Sequence, residues 1–145
     1  MKITIKSALL LFAIILLFSS CKDKIVEENF STFKNGNKQV VRIYKISKGE
    51  KTLIGEKQYY ETGELKIEGT YDNNKRHGVW KSYYKNGNLW SKGTYIQGIE
   101  NGEKVVNYEN GDLYYKGEVL NDKRVGKWKF IGIDGKESFI NYDEK

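Results

Sequence analysis

From residue 56 onward, apolar and polar residues alternate in short runs that end at polar dipeptides containing glycine. Alternation with a period of two is typical of strands that pack one face and expose the other. Asn86-Gly87 and Asn110-Gly111 lie between such runs, and Asn-Gly is a strong signal for a hairpin. The pattern therefore predicts four β-hairpins, at about residues 56–71, 79–95, 103–119 and 127–142.

Glycines mark a repeat within these hairpins. One column of expected turn glycines has a spacing of 24 residues: Gly63, Gly87, Gly111 and Gly135. Two further columns have the same spacing: Gly69, Gly93 and Gly117, and then Gly78, Gly102 and Gly126. A period of 20 to 50 residues indicates a repeat architecture in which each unit is one supersecondary element. Each unit here is expected to be one hairpin.

We expect a two-residue type I′ turn at Asn86-Gly87, since both residue types tolerate positive φ. Thr62-Gly63 is then a weak copy, because a β-branched residue resists that conformation. The segments 72–77 and 121–125 are expected to be plain connectors. In the second hairpin a two-residue turn predicts three cross-strand pairs, Tyr84–Leu89, Ser82–Ser91 and Trp80–Gly93, with Gly93 leaving room for the indole. Alternation then gives one face with Trp80, Tyr84, Leu89 and Tyr95.

Four segments carry a resemblance to a known family: YYETGELKIEGTY (59–71), HGVWKSYYKNGNLWSKGTY (77–95), NGEKVVNYENGDLYYKGEV (101–119) and VGKWKFIGIDGK (125–136). They resemble bacterial MORN-repeat variants, including the YwqK-type antitoxins. The resemblance implies an all-β fold in which tandem antiparallel β-hairpin repeats of 24 residues form one elongated twisted sheet. The array is predicted over 59–145, after a degenerate repeat at 33–58. Departures from the repeat are Lys104 in place of Trp, Gly132 in place of Tyr, and Asn141 in place of Gly.

The N-terminus has the pattern of a secretion signal. Lys2 and Lys6 precede an apolar run of eleven residues, Ala8 to Phe18, which is too short to span a bilayer. Phe18-Ser19-Ser20-Cys21 resembles a bacterial lipobox, which implies cleavage after residue 20 and lipidation of Cys21. The alternative is an ordinary secretory signal followed by an unmodified cysteine. We expect a lipoprotein signal peptide at 1–20, a charged tether at 21–32, and a location at the cell envelope, on the outer membrane where the cell has one.

Composition and charge exclude some classes of function. The net charge of +6 falls to +4 over 125 residues once residues 1–20, with Lys2 and Lys6, are removed. Four surplus charges on a mixed surface are not the clustered footprint of a nucleic-acid-binding protein. With one cysteine, a single chain has no disulfide framework and no thiolate metal cluster. Neither a metal nor a cofactor is expected.

Catalytic patterns are weak in this sequence. His77 is the only histidine, is expected in an exposed loop, and has no second His or Cys nearby to complete a metal site. The serines lack a nucleophile-elbow context, and Glu61, Glu64 and Glu68 border a turn as solvated carboxylates. We therefore expect a protein that is not an enzyme.

Binding is better supported by the other hairpin face, which combines rings with lysines. Its candidate residues are Tyr59, Tyr83, Trp90, Lys81, Lys92 and Tyr114. Such a face could bind a protein, a glycan or lipid headgroups. The alternative is that the rings pack only against each other across neighbouring strands and bind nothing. Three hypotheses follow: a membrane-anchored binding module, an antitoxin or immunity protein implied by the resemblance, and direct phospholipid binding. The expected partners are the membrane, through the anchor, and a protein, which in the second hypothesis is a toxin.

Overall fold

The computed structural model describes residues 22–143. The expected signal peptide and Cys21 lie outside the described residues. Within that range the chain forms eleven strands: β1 (Lys24–Thr32), β2 (Lys38–Ser47), β3 (Glu50–Tyr59), β4 (Leu65–Asp72), β5 (Lys75–Tyr83), β6 (Leu89–Ile96), β7 (Ile99–Glu100), β8 (Gly102–Asn107), β9 (Leu113–Leu120), β10 (Lys123–Ile131) and β11 (Glu137–Asn141). Residues 22–143 contain no helix with the length and hydropathy of a membrane span.

The strands form one open antiparallel sheet. Its spatial order is the chain order from β1 to β6 and then β8 to β11, while the two-residue strand β7 extends the sheet beside β6. Because each strand pairs with the next, only short turns are needed and the sheet grows as a meander. The prediction of an all-β fold built from tandem antiparallel hairpins is confirmed.

The turns inside the hairpins differ from the prediction. The Gly87 N–H donates to the Tyr84 carbonyl (3.0 Å), and the Tyr84 N–H donates to the Asn88 carbonyl (2.9 Å). Only Gly87 of the central residues has positive φ, at 85°. This is a three-residue loop with a type I turn and a glycine bulge, so the type I′ prediction is wrong here. The expectation that Thr62-Gly63 is a weak copy of the turn is wrong too. Only the glycine, with φ of 106°, has positive φ, so the β-branched threonine is not strained.

The type I′ geometry instead occurs between the hairpins. Asn73 and Asn74 have φ of 50° and 60°, and Asn121 and Asp122 have φ of 52° and 62°. Asp72 pairs with Lys75 directly across the first of these dipeptides, so the loop has two residues. The segments expected to be connectors are thus tight hairpins that continue the sheet, because two consecutive residues with positive φ match the twist of the strands.

A bulge next to each glycine turn shifts the pairing. Ser82 faces Ser91 and Trp80 faces Gly93, as predicted, but Leu89 faces Tyr83 rather than Tyr84. Trp90 is the extra residue of this bulge. The expected face with Trp80, Tyr84, Leu89 and Tyr95 is therefore wrong for Leu89, while Trp80 and Tyr95 do meet edge to face, with ring centroids 6.5 Å apart.

The buried tryptophans lie over glycines of the preceding strand. A Cβ added to Gly69 would come within 2.2 Å of Trp80, and one added to Gly117 within 2.3 Å of Trp128. Each glycine thus clears a ring from the following unit, and the expectation that Gly93 accommodates Trp80 is wrong. The Arg76 guanidinium lies 4.0 Å from the Trp80 ring centroid on one of its faces, a cation–π contact. Arg124 lies 4.4 Å from the Trp128 ring centroid in the same manner.

The N-terminal part of the described chain also belongs to the sheet. Residues 24–32, expected to be part of a charged tether, form β1, and this expectation is wrong because their backbone groups pair with β2. The turn after β1 has the same hydrogen bonds as the later glycine turns, Phe33 N–H to Asn37 O (2.8 Å) and Gly36 N–H to Phe33 O (3.0 Å). The ten-residue strands β2 and β3 accommodate the longer spacing of this unit.

Candidate binding site

The six candidate binding residues do not share one face. Lys81 and Lys92 are directly opposite each other on β5 and β6, and Tyr83 lies two residues after Lys81 on the same side. The Tyr83 hydroxyl donates to Glu68 (2.7 Å). Burial and the nearby Glu68 carboxylate raise the pKa of Tyr83 to about 12. We call the surface that carries Lys81, Lys92 and Tyr83 the charged face.

Trp90 and Tyr114 lie on the opposite face, because both are the extra residues of bulges. The Trp90 ring contacts Tyr84, with centroids 6.1 Å apart, and the Tyr114 ring contacts Tyr108 at 4.8 Å. Strict alternation predicts the wrong side for both rings, since one inserted residue reverses the direction of the side chain. We call this surface the aromatic face.

The bulge position is a further repeating column, and it lies on the aromatic face. Lys66, Trp90 and Tyr114 occupy it at the repeat spacing, and all three side chains are exposed. Lys66 approaches Tyr60 in the same way as the two rings approach their tyrosines, with its ammonium 5.4 Å from the ring centroid. Tyr59 ends β3 opposite Leu65, next to this column, and is half-buried.

Hydrogen bonds fix the tyrosines under the bulge residues. The hydroxyl of Tyr60 donates to the Tyr83 carbonyl, that of Tyr84 to the Asn107 carbonyl, and that of Tyr108 to the Ile131 carbonyl, at 2.8, 2.9 and 2.8 Å. Each bond joins one repeat unit to the next. Trp90 and Tyr114 therefore rest on rings that are held in place at both ends.

A groove opens on the aromatic face between Trp90 and Tyr114. It has a volume of about 500 Å³ and nine lining residues: Tyr84, Trp90, Ser91, Lys104, Val106, Asn107, Tyr108, Tyr114 and Tyr115. Buried Val106 forms its floor, whereas Trp90 is 47% exposed and Tyr114 is 41% exposed. A concave site with rings and a few polar groups has the general character of a ligand site.

One wall of the groove has a lysine at a repeat position that is tryptophan in the neighbouring units. Lys104 occupies the position held by Trp80 and Trp128 in the neighbouring units, and Glu100 occupies that of Arg76 and Arg124. The Lys104 ammonium lies 2.7 Å from the Glu100 carboxylate. This ion pair covers Gly93, whose added Cβ would come within 2.2 Å of Glu100. The irregular unit thus has a compact, internally neutral pair where an indole would fill the space.

The charged face has cations and anions in similar numbers. Lys57 pairs with Glu27 (2.7 Å), Lys92 with Glu103 (2.9 Å) and Lys129 with Glu137 (2.6 Å). The hydrogen bond from Lys57 lowers the pKa of Glu27 and raises that of Lys57 itself. Such mixed pairing differs from the single-sign stripe that a polyanion binds.

Residues with catalytic potential are dispersed. His77, expected in a loop, is exposed on β5 opposite Thr70, whose hydroxyl donates to the His77 carbonyl. Among residues 22–143 no three metal-ligating side chains come together. Sequence reasoning did not single out Lys104, Asn107 and Tyr115 as site residues; the departure of Lys104 from the repeat was the available signal.

Comparison with known proteins identifies part of this repeat. The family described as the MORN repeat variant matches residues 56–73 and 76–97. The two matches cover most of the β3–β4 and β5–β6 hairpins and include Trp90, at one side of the groove. No curated protein matches the chain. The chain is thus similar to MORN repeat variants in its central hairpins and has the architecture of a repeat module.

Proposed function

We propose that the protein is a non-enzymatic binding module, anchored to a cell-envelope membrane through lipid on Cys21, that binds a protein or an envelope surface. The observation that carries this proposal is the groove on the aromatic face. Trp90 and Tyr114 are half-exposed, although each packs against a tyrosine whose hydroxyl is hydrogen-bonded to the next unit. Rigid aromatic side chains with exposed faces are typical of binding hot spots, because little conformational entropy is lost when a partner covers them.

The start of β1 supports an anchor close to the sheet. The first strand begins at Lys24, three residues after Cys21. Three residues span at most about 11 Å, so a lipid on Cys21 would hold the β1 edge near the headgroups. Lys22 and Lys24 lie at this end, where anionic headgroups attract basic side chains, while Lys45 beside them pairs with Asp23 (2.6 Å).

The anchor is tested by metabolic labelling with a fatty acid. Cys21→Ala should abolish labelling and release the protein from membranes, because several acyl chains are needed for firm attachment. Lys22→Ala is the matched control and should leave labelling intact. Labelling that persists in Cys21→Ala would refute the lipoprotein assignment.

The binding role is tested by crosslinking the acylated protein in its own membranes and identifying what is recovered. We expect a specific partner whose recovery is lost in Trp90→Ala and kept in Phe139→Ala. Phe139 is a similarly exposed ring on β11, opposite Lys129 on the charged face. If recovery is the same for both variants, the groove is not the binding site.

The same experiment separates the other two hypotheses. Recovery of a toxin that acts in the envelope would make the protein an immunity protein, the role implied by resemblance to the YwqK-type antitoxins. Binding of the Cys21→Ala protein to phospholipid vesicles would instead indicate direct lipid contact through the repeats. A toxin confined to the cytosol does not fit an exported, lipid-anchored protein.

A further inference from the structure

The rim of the groove carries hydrogen-bonding groups that are not engaged. Among residues 22–143 no partner is present for the Ser91 hydroxyl, the Asn107 side-chain oxygen, or the hydroxyls of Tyr114 and Tyr115. The Asn107 amide is held in place because its nitrogen donates to the Leu89 carbonyl (3.1 Å). A fixed amide oxygen and three hydroxyls next to exposed rings suit a ligand that is both apolar and rich in hydroxyl groups.

The groove favours an uncharged ligand. Its one lysine, Lys104, is bound to Glu100 at 2.7 Å, and these two side chains are only 23% and 17% exposed. An anionic ligand would have to compete with Glu100 for this ammonium, and a cationic ligand would meet no free carboxylate among the lining residues. By contrast, Lys81 and Lys116, which have no ion-pair partner among residues 22–143, lie outside this groove.

The two exposed rings are spaced for an extended ligand. Trp90 is on β6 and Tyr114 is on β9, with β8 between them. Two steps of strand spacing separate the two strands by about 9.6 Å. The faces of aromatic rings are electron-rich and attract polarised C–H groups. A pyranose has such C–H groups on its flat face and hydroxyls around its edge, so consecutive sugars suit two separate ring platforms with polar groups between them.

We infer that the groove between Trp90 and Tyr114 binds a neutral pyranose oligosaccharide, with sugar rings stacked on the two aromatic side chains. Hydroxyls of the sugar hydrogen-bond to Ser91, Asn107 and Tyr115. This inference deepens the proposed function and rests on it, since it names glycan as the envelope component that the module binds. The volume of about 500 Å³ falls within the usual range of ligand cavities.

The test is calorimetric titration of the purified acylated protein with chitotetraose and cellotetraose, and with polyphosphate as an anionic comparison, in a detergent without a sugar headgroup. We expect saturable binding of at least one of these oligosaccharides. Trp90→Ala and Tyr114→Ala should each weaken it at least about fivefold, as expected when a ring at a binding hot spot is removed. Phe139→Ala should bind as tightly as the wild type. If a ring deletion impairs folding, Ser91→Ala tests the groove instead, because it removes only one hydroxyl that is proposed to bind the sugar.

Three results would overturn the inference: no binding of either oligosaccharide, binding that both ring deletions leave unchanged, or tighter binding of polyphosphate than of the sugars. Failure of the glycan inference can be distinguished from failure of the proposed binding function. A crosslinked protein partner without sugar binding would refute the glycan site alone. Sugar binding without a protein partner would support it, and the absence of both would refute both proposals.

Discussion

Gly117→Ala is predicted to be strongly destabilising, because the new methyl group would collide with a buried indole. The added Cβ would lie 2.3 Å from Cδ2 and 2.4 Å from Cγ of Trp128. Carbon atoms in contact are about 3.5–4.0 Å apart, so the ring must move by more than about 1 Å. Trp128 is only 1% exposed, and its Nε1–H donates to the carbonyl oxygens of Glu118 and Val125, each with a nitrogen–oxygen distance of 3.1 Å.

The magnitude follows from these contacts. Overpacking costs about 1–3 kcal/mol, and weakening the indole hydrogen bond adds about 1 kcal/mol. Reduced freedom of the unfolded chain returns about 0.4–1 kcal/mol when alanine replaces glycine. With the middle of each range, the free energy of unfolding should therefore fall by about 2–3 kcal/mol.

Gly93→Ala is the matched control at the same column of the repeat. Its Cβ would meet the end of the Glu100 side chain, which can swing into water. A partly exposed ion pair is worth about 0.2–1 kcal/mol, and the gain from the unfolded chain offsets that loss. Stability should therefore change by less than about 0.5 kcal/mol.

Urea unfolding followed by tryptophan fluorescence measures both variants. At an m value of about 2 kcal/mol per molar, Gly117→Ala should lower the midpoint by about 1–1.5 M, with Gly93→Ala close to the wild type. Equal midpoints for the two variants would refute the reasoning, since it depends on which side chain lies over each glycine.

Three further predictions concern single contacts. The folded-state pKa of Tyr83 is about 12 against an ordinary 10.0, so this group stabilises the fold below pH 10 and its contribution is lost as pH rises to 12. Tyr83→Phe, which removes the hydrogen bond to Glu68, should lessen the fall in unfolding midpoint over that range, and an unchanged fall would contradict the assignment. Tyr108→Phe deletes a hydrogen bond of 2.8 Å to the next unit and should cost about 1 kcal/mol in urea unfolding; no loss would show that this bond is dispensable. The double variant Glu100→Arg with Lys104→Trp gives this unit the arginine–tryptophan pair of its neighbours. Its free energy of unfolding should exceed the value expected from adding the effects of the two single variants by about 1 kcal/mol. Additive effects would argue against the pairing.

The repeat itself could be predicted without coordinates, because glycine spacing and alternation are local properties of the chain. The second, third and fourth hairpins lie within four residues of their expected positions, whereas the first begins at Glu50, six residues early. The pairs Ser82–Ser91 and Trp80–Gly93 are present. Turn type could not be predicted as well. Asn86-Gly87 and Asn73-Asn74 both tolerate positive φ, and only the register of the flanking strands decides which of them adopts a type I′ turn.

The binding residues depended on tertiary structure even more. Alternation and glycine spacing along the chain are enough to predict an all-β repeat, its period, its turn glycines and its supply of aromatic rings. Only the folded sheet decided that Trp90 and Tyr114 lie across the sheet from Lys81, because a bulge of one residue reverses the side on which a side chain projects. It also decided that Trp80 and Trp128 each pack on a glycine of the preceding unit, since contacts between hairpins arise only when the units stack side by side.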